Sequence, residues 1–321
     1  MTNEASMTGK IPVGISSCLI GDEVRFDGGH KRDAYIVGTL ATYFDFVPVC
    51  PEMAIGMGSP REPIRLTGDP DRPRALGVRT EKLDVTAALH DYGTSKAKEL
   101  SYLCGYIFKS ASPSCGMERV KVYSEKGMPS KKGVGIYAHA LMEKFPLLPC
   151  EEEGRLGDPV LRENFIQRVF IAYRWRELEA GRLSRSKLIE FHARHKYIIM
   201  AHNQAAYKRI GQLVAKIGTE PLRPLAERYF AELMSVLKQK ATRKRHVNVL
   251  QHLLGHLKRN LDAGDKNELL DAINAYSRGE VPVIVPITLL KHHFRRHPNP
   301  YIDQQYYLTP HPQELMLRNV L

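Results

Sequence analysis

Three cysteines close runs of the same kind. Ile11-Pro12-Val13-Gly14-Ile15-Ser16-Ser17-Cys18 is an apolar run entering a polar turn, and Phe46-Val47-Pro48-Val49-Cys50-Pro51-Glu52 is another. In the third, Gly105-Tyr106-Ile107-Phe108 breaks into Lys109-Ser110-Ala111-Ser112-Pro113-Ser114-Cys115-Gly116. Short apolar runs bounded by Pro, Gly and Ser read as buried strands entering turns. If the strands are parallel neighbours, the three thiols gather at one end of a sheet, where open α/β sheets bind ligands. Three thiolates together can hold zinc with a fourth position open, or an iron–sulfur cluster with one iron lacking a protein ligand. Taken singly, each is equally a core cysteine. A cysteine nucleophile needs a histidine partner, and residues 1–150 offer only His30, His90 and His139, none in a recognisable motif. Cys104 reads as core, and Cys150 sits at an expected strand end.

The elements that must position these residues alternate. Strands are expected over 11–17, 46–50, 105–109, 120–123 and 145–149. Helices are expected over 33–44, from an Asp84 N-cap to about Leu100 with a break at Gly93, and over 135–144. Pro51 to Gly77, with Pro51, Pro60, Pro63, Pro70, Pro73 and the arginines Arg61, Arg65, Arg72 and Arg74, reads as one long functional loop leaving Cys50. From Asp158-Pro159 onward the pattern is helical, with a strand conceivable only at Val281–Pro286. The fold class expected is an α/β domain over 1–157, its sheet mostly parallel with helices on both faces. An all-α domain over 158–321 follows.

Charge divides the chain at the same place. Of 321 residues, the first 150 carry 19 Lys+Arg against 17 Asp+Glu; the remainder carry 28 against 18, with 10 of the 13 histidines. A basic excess confined to one half fits an anionic partner, nucleic acid first. Arg243 to Leu261 reads as an amphipathic helix: Leu250, Leu253, Leu254, Leu257 and Leu261 share one face, and Arg245, Asn248, His252, His256 and Arg259 the other. Arg243 and Lys244 precede that row. His292, Arg295 and Arg296 form a second basic cluster ahead of the aromatic Tyr301, Tyr306 and Tyr307. Cations beside aromatics suit looped or single-stranded RNA. His192, His195 and His202 share a helix face, but no cysteine or carboxylate joins them at metal-ligand spacing. No apolar run reaches the length of a membrane span, and residues 1–10 lack a secretory hydrophobic segment. Five widely spaced cysteines then fit a reducing, cytoplasmic setting.

Ser16 to Gly21, Val24 to Gly28, Cys50-Pro51-Glu52, Lys109 to Gly116 and Glu151 to Leu156 together resemble the thiouracil desulfidase (TudS-like) family over about residues 11–160. Met53 to Gly58 departs slightly from that family's glycine-rich run. Phe191 to Lys196, Ala241 to His252, Val285-Pro286 and His311-Pro312 resemble a known family of unknown-function domains. The two fused resemble the RudS-type desulfidases, which remove sulfur from 4-thiouridine in tRNA. The resemblance implies a [4Fe-4S] cluster on Cys18, Cys50 and Cys115 with one iron lacking a protein ligand. It also implies a carboxylate, Glu52, and a serine of the Ser110–Ser114 turn, Ser112 ahead of Ser114. The implied partners are tRNA and thiolated uracil bases, and the implied reaction is hydrolytic and non-redox. The rival readings are an enzyme of free thiouracil or thiouridine, and an RNA-binding protein with a structural metal.

Overall fold

The computed structural model describes residues 9–80 and 82–319. They fall into two compact units divided between Asp158 and Pro159.

The first unit contains β1 (Ile11–Ser16), α1 (Ala34–Gly38), β2 (Phe44–Val49), α2 (Pro51–Ala54), β3 (Ile64–Thr67) and β4 (Arg74–Gly77). It continues with α3 (Thr86–Glu99), β5 (Gly105–Phe108), β6 (Val120–Tyr123), β7 (Pro129–Gly133), α4 (Ile136–Lys144) and β8 (Cys150–Glu152). One sheet runs β2-β1-β5-β8 and is parallel at every pairing. Ile11, Val13 and Ile15 of β1 are fully buried, as a strand flanked on both sides requires. Because β2 and β5 lie on opposite sides of β1, the connections after them diverge and leave a crevice at the strand ends. Tyr106 and Phe108 of β5 pack with Ala97 of α3 and with Tyr137 and Leu141 of α4. Gly93 does not break α3; a Cβ there would lie 2.9 Å from that of Ala140, so its absence lets the two helices close.

Three expectations about elements are corrected. The long loop after Cys50 contains α2 and the antiparallel pair β3–β4, which joins β6 and β7 in a second four-stranded sheet, β4-β3-β6-β7. Ile64 and Leu66 point into its core, so Ile64-Arg65-Leu66-Thr67 carries a period-two signal that the surrounding prolines mask. The strand expected at 145–149 begins instead at Cys150, since Pro146 and Pro149 cannot donate to a ladder. Val281–Pro286 is no strand but the entry to a helix.

The second unit is helical: α5 (Pro159–Ala180), α6 (Arg185–His202), α7 (Gln204–Ala215), α8 (Leu222–Leu237), α9 (Arg243–Leu257), α10 (Ala263–Arg278), α11 (Ile284–Arg296) and α12 (Pro300–Asp303). Trp175 stacks on Phe230 at 4.7 Å and meets Phe191 edge-on at 5.2 Å, tying α5, α6 and α8. No described helix is long and apolar enough to cross a membrane.

Candidate active site

The parallel sheet determines where the cysteines go. Cys18 lies in the single turn Ser17–Leu19 beyond β1, Cys50 caps α2 directly after β2, and Cys115 ends the turn after β5. All three border one cavity of about 450 Å³ at the carboxyl ends of these adjacent strands. None is in a disulfide. Burial raises the Cys18 thiol to about 11, with the Lys109 ammonium opposing; burial also raises Cys50, and Cys115 more strongly. Thiols so placed stay protonated until a cation replaces the proton, which is how metal binding couples to deprotonation. Cys150 opens β8, opposite Tyr106 near the start of β5, away from the strand ends that carry the other three.

Glu52 is in the first turn of α2, where Pro51 supplies a preset φ and needs no hydrogen bond. Its carboxylate lines the cavity and is gripped at both oxygens. Arg61 reaches Oε2 through Nη2 at 2.6 Å and Nε at 2.8 Å. Arg61 is itself fixed, donating from Nη1 to Val24 O at 2.8 Å and Gly58 O at 2.7 Å. On the other side Ser114 Oγ donates to Oε1 at 2.7 Å. A carboxylate retains lone pairs after such contacts, so Glu52 can still accept a proton from a water in the cavity.

The two serines do different work. Ser114 is fully buried and makes the contact to Glu52. Ser112, ranked ahead of it on resemblance, accepts from Cys115 N at 3.0 Å and Ser114 N at 3.3 Å, which closes the turn that carries Cys115. The turn has no room for larger residues: a Cβ on Gly116 would lie 2.3 Å from Val120 Cγ2, and one on Gly135 2.5 Å from Ser114 O. Ala111, on the cavity wall, is held at φ 57, a left-handed conformation costly for a residue with a Cβ.

Two groups that sequence reasoning did not single out complete the site. Arg61 was one of several loop arginines, and only folding brings it to Glu52. Opposite, Lys109 Nζ bonds Glu153 and, at 2.9 Å, Ser110 Oγ. Ser110 N and Oγ both donate to Glu153 at 2.7 Å. The triple-glutamate stretch thus divides its tasks: Glu151 takes Arg155 Nε at 2.5 Å, Glu152 takes Met117 N at 2.8 Å, and Glu153 secures the cavity wall.

The expected RNA row is partly dispersed. Val249, Leu250, Leu253, Leu254 and Leu257 are the buried face of α9, and Lys244, His252 and His256 are exposed. The helix stops at Leu257, where Asn260 N turns back to Leu257 O and Asp262 caps α10, so Arg259 and Leu261 lie beyond it. Arg245 donates to His202 O, and Asn248 to Gln204 Oε1 at 3.2 Å, so both bind protein. His256 Nε2 meets Tyr197 OH at 3.0 Å. His292 and Arg295 are exposed on α11; Arg296 is exposed beside Asp265 at 3.9 Å. Arg243 is exposed and lines a separate cavity. His195 and His202 are core residues, the latter held by Gln167 and Gln239, and burial lowers His192 and His202 to about 4.

A family model described as 2-thiouracil desulfurase matches residues 13–153, and one described as a protein of unknown function (DUF1722) matches 196–312. The chain is 36% identical over 111 residues to the uncharacterised protein YbbK of Bacillus subtilis, covering 32% of this chain and 71% of that one. It is 29% identical over 153 residues to the uncharacterised protein YbgA of Escherichia coli, covering 47% and 90% respectively. Among solved structures, the [4Fe-4S]-dependent thiouracil desulfidase TudS superposes with a TM-score of 0.37 at 24% identity, covering 46% of this chain and 95% of that one. With its cysteine turns and Cys50-Pro51-Glu52 in place, the chain belongs to the 2-thiouracil desulfurase family and carries a DUF1722 region behind the desulfurase domain.

Proposed function

We propose that this protein removes sulfur from 4-thiouridine in tRNA by a non-redox hydrolysis, with a [4Fe-4S] cluster held by Cys18, Cys50 and Cys115. The observation that carries the reading is the single cavity bordered by these three thiols and by Glu52. The donor set fits the cluster: three soft sulfur ligands from three separate turns, leaving one iron without a protein ligand. When bound, the cluster would supply a Lewis-acidic iron that polarises a thiocarbonyl sulfur. Glu52 acts as general base and accepts a proton from the water that attacks the thiocarbonyl carbon. The tetrahedral adduct loses its remaining hydroxyl proton to solvent as the carbonyl closes and the carbon–sulfur bond breaks, the Glu52 proton passes to sulfur, and hydrosulfide departs. Arg61 and Ser114 keep the carboxylate aimed throughout. Exposed side chains of the helical unit grip the RNA, Lys244, Arg259, Arg295 and Arg296 pairing with phosphates and His252 and His292 offering hydrogen bonds. Thiols and cluster alike suit a reducing compartment, the cytoplasm.

A second substrate class has its own support: the whole cavity is built from the first unit, so a free thiolated base or nucleoside needs nothing from the helices. One experiment separates the readings. Protein purified and reconstituted without oxygen is incubated with bulk tRNA, 4-thiouridine and 2-thiouracil, beside a Glu52→Ala control, and the near-ultraviolet thiocarbonyl band is followed. Loss of the band in tRNA with wild type alone supports the proposal. Loss only with free compounds supports the second reading, and no loss with a full cluster defeats both.

A further inference from the structure

The helical unit encloses a cavity of about 180 Å³ that desulfuration does not use. It is walled by α5, α6, the entry to α9, α10 and the C-terminal segment. Its one carboxylate, Glu163, is already neutralised: Arg318, 5% exposed, donates from Nε to Glu163 Oε1 at 2.8 Å and from Nη1 to Tyr307 O at 2.6 Å. Two further cations line the same space, Lys240 and Arg243, both exposed. Neither makes a hydrogen bond or ion pair to any described residue. The cavity therefore carries an uncompensated charge of about two, with its unpaired donors nearest solvent.

The surroundings place the Arg243 guanidinium. Arg243 lies over the Tyr276 ring, 6.0 Å from its centroid. Gly279, at φ +84, makes room for the guanidinium; a Cβ there would sit 2.7 Å from Nη1. His246 meets the Tyr307 hydroxyl through Nδ1 at 2.8 Å, and burial keeps the ring neutral. If the hydroxyl donates, Nε2 carries the ring hydrogen. The helix α9 also begins Arg243-Lys244-Arg245 with no acidic residue in its first turn. Cations there oppose the helix dipole, and a bound anion would relieve both terms.

We infer that this cavity is a binding site for a phosphate monoester, seated between Arg243, Lys240 and Tyr276. Two unpaired cations match a dianion, and a guanidinium offers the planar pair of donors that phosphate oxygens accept. A nucleotide carries this group in two forms, as a free 5′-monophosphate or as the 5′ end of an RNA strand. The RNA source rests on the function proposed above; the phosphate chemistry does not.

The test is calorimetric titration of the intact protein with uridine 5′-monophosphate, inorganic phosphate and uridine, then with one RNA oligonucleotide bearing a 5′-phosphate or a 5′-hydroxyl. The expected result is saturable binding of the monophosphate and none of uridine, weakened roughly tenfold or more by Arg243→Gln and by Lys240→Gln. Both variants change exposed side chains, and unaltered melting curves would show that their folds survive. A 5′-phosphate preference that Arg243→Gln erases assigns the RNA source; equal binding of both RNAs beside tight monophosphate binding assigns the free nucleotide. Monophosphate binding no tighter than uridine, or unchanged in both variants, overturns the site. Loss of tRNA desulfuration with monophosphate binding intact would count against the proposed function alone.

Discussion

Ser114 donates its hydroxyl to Glu52 at 2.7 Å, joining the turn after β5 to the first turn of α2 across 62 residues of chain. With Arg61 on the opposite oxygen, the carboxylate has one orientation, and that orientation borders the cavity shared by the three cysteines. Preorganisation of this kind lets a base act without first rearranging.

Removing the proposed base should impair the chemistry while leaving the cluster in place. Glu52→Gln is expected to cut desulfuration by about a hundredfold or more, the usual scale of general-base catalysis. It also leaves a buried Arg61 without its anion, so thermal stability should fall by roughly 1–3 kcal/mol. Wild-type iron content in the variant, read by iron and sulfide analysis, would locate the defect in chemistry; an iron-free variant would refute the assignment.

The two serines should separate. Ser114→Ala deletes one hydrogen bond to the carboxylate and should slow turnover by roughly tenfold with the cluster fully loaded. Ser112→Ala frees the Cys115 N–H and loosens the turn, so cluster content should fall while turnover per cluster stays near wild type. Rates normalised to bound iron decide this, and the reverse pattern would return the catalytic role to Ser112.

Cysteine variants give an independent check. Cys18→Ala, Cys50→Ala and Cys115→Ala should each abolish the visible absorption of a reconstituted cluster. Cys150→Ala, which alters the opposite end of β5 and β8, should retain it. Loss of absorption in Cys150→Ala would place a ligand where the fold does not.

Acid should unfold the helical unit first. Burial holds His202 at about 4 and His311 at about 3 in the folded state, against about 6.5 unfolded. The unfolded chain binds more protons below pH 6.5, so stability is intact above that value and falls as pH drops toward 4. Each such histidine should cost ~1 kcal/mol at pH 5.5. Melting curves of the helical signal between pH 7.5 and 5 should shift steadily downward, and His202→Gln should flatten part of that slope. A pH-independent melting temperature would contradict the buried, neutral assignment.

Salt should expose the RNA contacts. Arg295→Ala and Lys244→Ala remove exposed cations and should each lower the slope of log affinity against log salt by about one for tRNA. Arg245→Ala should act differently, through stability, because that guanidinium bonds His202 O inside the fold.

The sequence by itself determined the alternation of strands and helices, the three cysteine turns and the change to an all-helical second half. These are local signals: apolar runs, breakers and periodicity. Glu52 was singled out only through the family resemblance that Cys50-Pro51-Glu52 carries; as an isolated carboxylate after a proline it reads as surface. Only the tertiary structure decided that Arg61 and Ser114 clasp that carboxylate, that Glu153 returns to Ser110, and that Arg245 faces inward. Those contacts join segments far apart in the chain, and parallel strands place their connections by topology rather than spacing. The hairpin Ile64–Gly77 escaped notice because its prolines and glycines speak for turns at the same positions where its side chains alternate. The cavity in the helical unit was hidden for a related reason: Lys240 and Arg243 are near neighbours in the chain, but Glu163, Tyr276, Tyr307 and Arg318, which wall the same space, come from distant segments.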